Sequence, residues 1–483
     1  MVEIGRGIII RSLFWKFFER TSVQLIQFVI TILLARILKP AEYGIIALIM
    51  VFISISQVVV DGGFNTALIQ KKNADHIDFS TIFFFGLVMS LIMYIILFFS
   101  APAIASYYSM PELVPVIRVV GVVLFLHAVN AVQNSIISKD MLFRILFIGS
   151  FCSILLSGTV SIIMAYNGFG VWALVTQILL SQLTLTIVLW FILKWRPLFT
   201  FSYTHFKSLF DYGWKIFVTN VIVAIFVNIR KLIIGKMYAP ASLAYFERGG
   251  HFPDLILSNI NSTIKAVLFP AFSKEQNDHD RVKQMLRRST QMSCFFIYPT
   301  MMLLIVSAKP LVLFLLTEKW LPIVDFLQII CIANFFRPIS IPNLEAIKAM
   351  GYSGISLKLE VIKKILDVII LVVSVFFGIY AIAWGIVLFN FLCVFINLYP
   401  NKHLLDYGIW EQIVDALPTF VITIVMGAIV YWIQFIHTNL ILVLSMQFVI
   451  GALLYVGICY LVHEESFRYL VQMVVDRKKR ITL

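Results

Sequence analysis

Charge is scarce in this chain. Asp, Glu, Lys and Arg make up 13% of its 483 residues, against about 25% in a typical soluble domain. With 61% of residues hydrophobic and a mean hydropathy of +0.96, no water-soluble fold could hide the apolar surface, so the bilayer must act as solvent. Cysteine is equally sparse. Cys152, Cys294, Cys331, Cys393 and Cys459 stand singly inside apolar stretches, which excludes a disulfide framework and a metal cluster. There is no glycine-rich phosphate loop, no metal-spaced His/Cys set and no nucleophile with a positioned base. The chain therefore reads as a non-enzyme without a cofactor, and ATP hydrolysis within it cannot power transport. Segments between apolar runs reach only about 20 residues, too short for an added catalytic domain. The net charge of +13 is spread over short loops rather than gathered in one basic domain. Nucleic acid is not an expected partner.

Apolar runs are what the chain has in abundance. At about 20 residues per crossing, it divides into fourteen. They include 12–38, 42–69, 79–101, 113–138, 242–271, 322–349 and 355–377, and end with 411–435 and 439–462. The expected fold class is an all-α integral membrane protein with about fourteen transmembrane helices. The basic start (Arg6, Arg11, Lys16, Arg20) lacks a small-residue cleavage site, so the first run reads as an uncleaved helix. Alternate loops carry Lys71 and Lys72, Lys139 and Arg144, then Lys194, Arg196 and Lys207. Further along come Lys274, Arg281, Lys283, Arg287 and Arg288, then Lys402, and the tail ends in Arg477, Lys478, Lys479 and Arg480. The opposite loops are poor in charge. This asymmetry places both termini in the cytoplasm.

The two halves resemble each other in their punctuation. Trp15 through Ala35-Arg36-Ile37-Leu38-Lys39-Pro40-Ala41 matches Trp214 through Gly235-Lys236-Met237-Tyr238-Ala239-Pro240-Ala241. Gly168-Phe169-Gly170-Val171-Trp172-Ala173 pairs with Gly378-Ile379-Tyr380-Ala381-Ile382-Ala383 in the same order. Six helices per repeat is an even number, so the halves share one orientation and would be related by a pseudo-twofold axis along the membrane normal. The expected organisation is a six-helix lobe at 1–200, a second at 201–402, and a terminal helix pair with a basic tail at 403–483.

Polar side chains inside apolar runs are costly unless they face a cavity or each other. In the eighth run Glu247, His251, Asp254, Ser258, Asn261 and Lys265 recur at spacings of four, three, four, three and four, tracing one face of a helix. Arg248 lies beside that stripe and Pro253 is a candidate kink. Arg20, Gln24, Gln27 and Thr31 mark the first helix. Asp61 and Asn65 mark the second, Lys231 and Asn228 the seventh, and His127 with Asn130 and Arg337 with Ser340 two others. These are expected to surround a central cleft between the lobes. Arg20, Lys231, Arg248, Lys265 and Arg337 outnumber Asp61, Glu247 and Asp254, a bias that favours an anionic ligand such as a diphosphate. Asp61, Glu247 and Asp254 are the candidates for carrying a coupling proton or sodium ion. Local pairing, such as Glu247 with His251, is the competing structural role.

Leu34-Ala35-Arg36-Ile37-Leu38 is followed by Pro40-Ala41-Glu42-Tyr43-Gly44-Ile45-Ile46-Ala47-Leu48. Further on stand Asp61-Gly62-Gly63-Phe64, Ala244-Tyr245-Phe246-Glu247-Arg248 and Phe252-Pro253-Asp254-Leu255. In these segments, in order over almost its whole length, the chain resembles the polysaccharide transporter (Wzx-like) family. That family belongs to the multidrug/oligosaccharidyl-lipid/polysaccharide (MOP) flippase superfamily, and the likeness is to the colanic-acid and teichuronic-acid exporter type. The resemblance implies a flippase of the bacterial cytoplasmic (inner) membrane. It would move an undecaprenyl-diphosphate-linked oligosaccharide to the outer leaflet by alternating access of two lobes around a cationic cavity. Ion coupling, membrane lipids and a polysaccharide polymerase with its export machinery are the implied accompaniments. The family's lumen arginines map by position to Arg248 and Arg20, while Gly249-Gly250-His251 departs from the basic residue usual a few places after the former. An ion-coupled multidrug or cation antiporter of the same superfamily is the alternative, and would need a cleft dominated by carboxylates and twelve helices rather than fourteen. A membrane-embedded glycosyltransferase or polymerase would need a large extramembrane loop.

Overall fold

The computed structural model describes residues 6–436 and 439–472, with side chains described throughout these except at 6–13 and 261–266. Among the described residues every regular element is helical. The first compact unit, Met1–Ala244, holds α1 (Arg6–Ile37), α2 (Pro40–Asp61), α3 (Phe64–Gln70), α4 (His76–Tyr108), α5 (Leu113–Val120) and α6 (Val123–Lys139). It continues with α7 (Phe143–Tyr166), α8 (Val171–Ile192) and α9 (Tyr203–Met237). The second unit, Tyr245–Leu483, takes most of α10 (Pro240–Lys274). It then holds α11 (His279–Leu315), α12 (Ile323–Asn334), α13 (Arg337–Ala349), α14 (Ser353–Val375), α15 (Ile379–Leu404), α16 (Ile409–Tyr431) and α17 (Leu440–Leu461).

Three of the expected runs are broken, each at an identifiable place. The run 42–69 splits at Gly62 and Gly63, whose φ angles of 53° and 75° are left-handed and cheap only for glycine. The run 113–138 splits around Gly121 into α5 and α6, which still qualify together as one span. The run 322–349 becomes α12 and α13, bent by 41°. Pro338 in the first turn of α13 lacks the N–H that would continue the hydrogen-bond ladder from α12.

Eleven helices among the described residues are long and apolar enough to cross a membrane, twelve with the bent pair. The other two of the fourteen expected runs fall on α10 and α14, which have the length but carry several charges each. α2 opens at Pro40 and α10 at Pro240, each after the same short break. α8 follows Gly170 and α15 follows Gly378, both at positive φ, while the segment matching sets Gly378 against Gly168, also at positive φ.

In the first unit, basic loops meet at one end. Asp78, fully buried near the start of α4, accepts hydrogen bonds from Lys71 Nζ at 2.7 Å and His205 Nδ1 at 2.8 Å, and its backbone N–H donates to Asp75. Lys139 Nζ donates to the Lys71 carbonyl at 2.7 Å, and the Leu198 N–H donates to Ser80 Oγ at 3.0 Å. The loops after α3, α6 and α8 are thereby tied together.

In the second unit, α11 is the hub and packs on α12, α13, α16 and α17. Tyr455 Oη donates to the Phe295 carbonyl at 2.8 Å, and Gln447 Nε2 to the Val306 carbonyl at 3.5 Å, so α17 is anchored to α11 by polar contacts inside an apolar interface. Arg287 holds Asp415 of α16 at 2.7 Å. Tyr407, between α15 and α16, donates to the same carboxylate at 2.6 Å. Burial, then that hydrogen bond, raises the Tyr407 hydroxyl above the ordinary tyrosine range and keeps it a donor.

Asp78→Ala leaves Lys71 and His205 without their shared acceptor and should cost about 3 kcal/mol, the low end for breaking a buried ion pair. Exposed Asp75→Ala loses only a helix cap, at about 1 kcal/mol. Thermal unfolding of the detergent-solubilised variants checks this: equal shifts would show that the clamp does not hold the loops.

Candidate functional site

Polar side chains at membrane depth collect into separate groups in each unit. In the first unit, Asp61 at the end of α2 meets His127 Nε2 of α6 at 3.0 Å and accepts from Asn65 Nδ2 at 2.9 Å. Ser135 Oγ donates to Asn65 Oδ1 at 3.3 Å, and Asn130 Nδ2 to Gln182 Oε1 at 3.0 Å. Asn228 of α9 reaches Ser54 at 3.3 Å. Helix α1 contributes Arg20 and Gln27, both exposed, and Gln24, partly buried; Gln27 reaches Thr31 at 3.4 Å. Lys231 is partly buried on α9. So Asp61, His127 and Asn65 are brought together, while Arg20, Gln24 and Gln27 line one helix.

In the second unit, α10 runs as a helix through Pro253 and presents Glu247, Arg248 and His251 partly buried, with Asp254 exposed. Asn261 and Lys265 lie outside the described side chains. Asp254 stands 4.0 Å from Arg337 Nη1, which also reaches Asn334 Oδ1 at 3.4 Å. The departure at Gly249 has a packing reason. A Cβ there would lie 2.6 Å from Phe326 Cβ, so α10 and α12 approach too closely for any side chain at that position.

The sequence reading passed over α14. Ser356, Glu360, Lys363, Asp367 and Ser374 are spaced at helical intervals, the same signature that singled out α10. Lys363 is 8% exposed and Asp367 6%, and Lys363 Nζ sits 2.7 Å from Glu360. With Arg337, Ser340, Lys364, Asn390 and Asn397, Glu360 and Lys363 line a cavity of about 230 Å³ between α13, α14 and α15. Asn397 Nδ2 donates to Ser340 Oγ at 2.5 Å, while its buried carbonyl oxygen has no hydrogen-bond partner. A buried acceptor left so calls for a donor.

Around that cavity Arg337, Lys363 and Lys364 face one carboxylate, Glu360. Adding the charged groups named on α10 and the rest of the α14 stripe brings the balance closer: Arg248, Arg337, Lys363 and Lys364 stand against Glu247, Asp254, Glu360 and Asp367. The positive bias is thus local to the cavity. Such a site can hold an anion by charge-assisted hydrogen bonds and hydroxyl groups by amide and serine contacts.

An all-helical, many-spanning membrane protein with charged and amide side chains gathered at membrane depth belongs to the transporter class of folds. The polysaccharide biosynthesis protein family model matches residues 33–325, and the chain belongs to that family. It is 22% identical over 421 residues to the teichuronic acid biosynthesis protein TuaB of Bacillus subtilis, covering 86% of this chain and 87% of that protein. It is 24% identical over 310 residues to the succinoglycan biosynthesis transport protein ExoT of Rhizobium meliloti, covering 64% of this chain and 63% of that protein. Among solved structures it is similar in fold to the lipid II flippase MurJ in an inward closed conformation. The TM-score is 0.76 at 17% identity, over 96% of this chain and 100% of that one.

Asp61→Ala should lower stability by about 1–3 kcal/mol because His127 and Asn65 lose their acceptor. Asp61→Asn keeps an acceptor and should lose less. Thermal unfolding of the two variants compares them, and an Ala variant as stable as the Asn variant would mean that the Asp61 contacts do not contribute.

Proposed function

We propose that this protein is a flippase of the bacterial cytoplasmic membrane that carries a lipid-diphosphate-linked oligosaccharide repeat from the cytoplasmic to the outer leaflet during surface polysaccharide synthesis. The observation that carries this reading is the cavity with three basic side chains and one carboxylate between α13, α14 and α15 of the second unit. Family membership supports it, as do relatives named for polysaccharide biosynthesis and transport and the likeness in fold to a lipid II flippase.

In this reading, cationic groups such as Arg248, Arg337 and Lys363 meet the diphosphate through charge-assisted hydrogen bonds. Amides and hydroxyls such as Asn397 and Ser340 meet the sugars, and the prenyl tail stays in lipid. Alternating access exposes the polar residues first to one side and then to the other. Asp61, Glu247 and Asp254 are the groups able to bind a coupling proton or sodium ion, and both termini lie in the cytoplasm. A polysaccharide polymerase and export machinery would receive the delivered repeat. A drug or cation antiporter is the weaker reading, because carboxylates do not dominate the cavity.

With Arg248→Ala or Arg337→Ala at normal expression, surface polysaccharide should fall at least about tenfold and the lipid-linked repeat should accumulate. That corresponds to losing one charge-assisted contact of about 1.5–3 kcal/mol. Quantifying both glycan pools in cells checks it. Unchanged export in both variants would remove these residues from the path.

A further inference from the structure

One cavity plays no part in the reading above. It measures about 400 Å³, within the range of about 300–1,000 Å³ typical of small-molecule sites. Its lining consists of Asp325, Gln328, Ile329 and Ile332 from α12, and Tyr380 and Trp384 from α15. Tyr380 and Trp384 are one helical turn apart and share a face. Both rings are about half exposed, at 46% and 49%. The cavity lies at the start of α15, while the opposite end of that helix carries Lys402 and His403 roughly 30 Å away. By the distribution of basic residues, this is the outer end of the unit.

We propose that this cavity is a subsite for a pyranose ring of the transported oligosaccharide, on the side where the cargo leaves. The chemistry fits a sugar on each side. One face of a pyranose is a patch of C–H groups carrying partial positive charge, and an aromatic ring face is negative, so the two stack. The Tyr380 ring is held for this by parallel stacking on Phe326, with centroids 5.0 Å apart and planes 5° apart. Its hydroxyl donates to Asp325 Oδ2 at 3.3 Å, which sets the carboxylate beside the rings as an acceptor for sugar hydroxyls. Gln328 Nε2 donates to the Ile305 carbonyl at 3.0 Å, which fixes the amide with its oxygen as the remaining acceptor.

Tyr and Trp at the edge of a membrane protein often serve as interfacial anchors. An anchor needs neither a carboxylate nor an oriented amide, and it sits on a convex surface. Here both polar groups border the same open cavity as the rings.

The proposal rests on the reading that the cargo carries a sugar chain, and it is tested separately from export. The full-length protein in lipid nanodiscs is probed by saturation-transfer NMR with methyl β-D-glucopyranoside and methyl β-D-galactopyranoside, with glycerol as control. Transfer to the ring protons of at least one pyranoside is expected. Trp384→Ala should reduce it about fivefold, consistent with losing one aromatic contact. Trp384→Phe should keep most of it. Trp432→Ala, which removes another exposed tryptophan, at the C-terminal end of α16, should leave it unchanged. No transfer above the glycerol level, an unaffected Trp384→Ala protein, or an equal loss in Trp432→Ala would each overturn the subsite. If the subsite fails while export still depends on Arg248 and Arg337, the flippase reading stands without it. If export does not depend on them, the flippase reading falls whatever this experiment shows.

Discussion

A charge withdrawn from water is tolerated only beside a partner or in a polar cavity, and much of this molecule follows from that constraint. Asp78 is the sharpest case. Fully buried, it is satisfied by Lys71, His205 and its own helix start, and in being satisfied it ties the α3–α4 loop to the first turn of α9. Asp61 solves the same problem with His127 and Asn65. Lys363 solves it with Glu360, one helical turn away. The carbonyl of Asn397, which has no hydrogen-bond partner, lies beside the cavity between α13, α14 and α15. The same rule that organises the loops therefore leads to the candidate site.

Apolar packing alone would not distinguish α16 and α17 from lipid-facing hairpins. Their polar anchors do. Tyr455 and Gln447 hydrogen-bond to backbone carbonyls of α11, and Arg287 holds Asp415, so the terminal pair is docked at three places along one helix. These contacts are specific in register, because a buried donor left without its acceptor costs more than a misplaced methyl group. The sugar subsite at the other end of α15 depends on a comparable detail, the parallel contact of Tyr380 with Phe326 that orients its ring.

Much of the helical plan was legible in the residues. Long apolar runs announce spans because the backbone can satisfy itself in lipid only as helix or closed barrel. The paired Pro40 and Pro240 starts announce the repeat. Breaks inside runs were harder to read: the apolar stretch resumes after Asp61-Gly62-Gly63, and the positive φ angles of the two glycines place the end of α2 there. The α10 stripe drew attention because its polar residues are many and varied. The α14 stripe obeys the same spacing but lies among so many Ile and Val residues that the run passed as an ordinary span. Within the departing segment Gly249-Gly250-His251, the need for glycine at 249 appears only where α10 meets Phe326.

By itself the sequence determined that the chain lives in a membrane, that it is helical, that its halves share their punctuation, and that certain helices carry polar faces. Hydropathy, period and loop charge are local properties, and each can be read along the chain. Which polar residues are partners was decided only by tertiary structure. Asp61 and His127 are 66 positions apart in the chain, and Lys363 joins Arg337 and Asn397 from three different helices. Helix rotation and tilt set those encounters, and they depend on the packing of every neighbouring side chain.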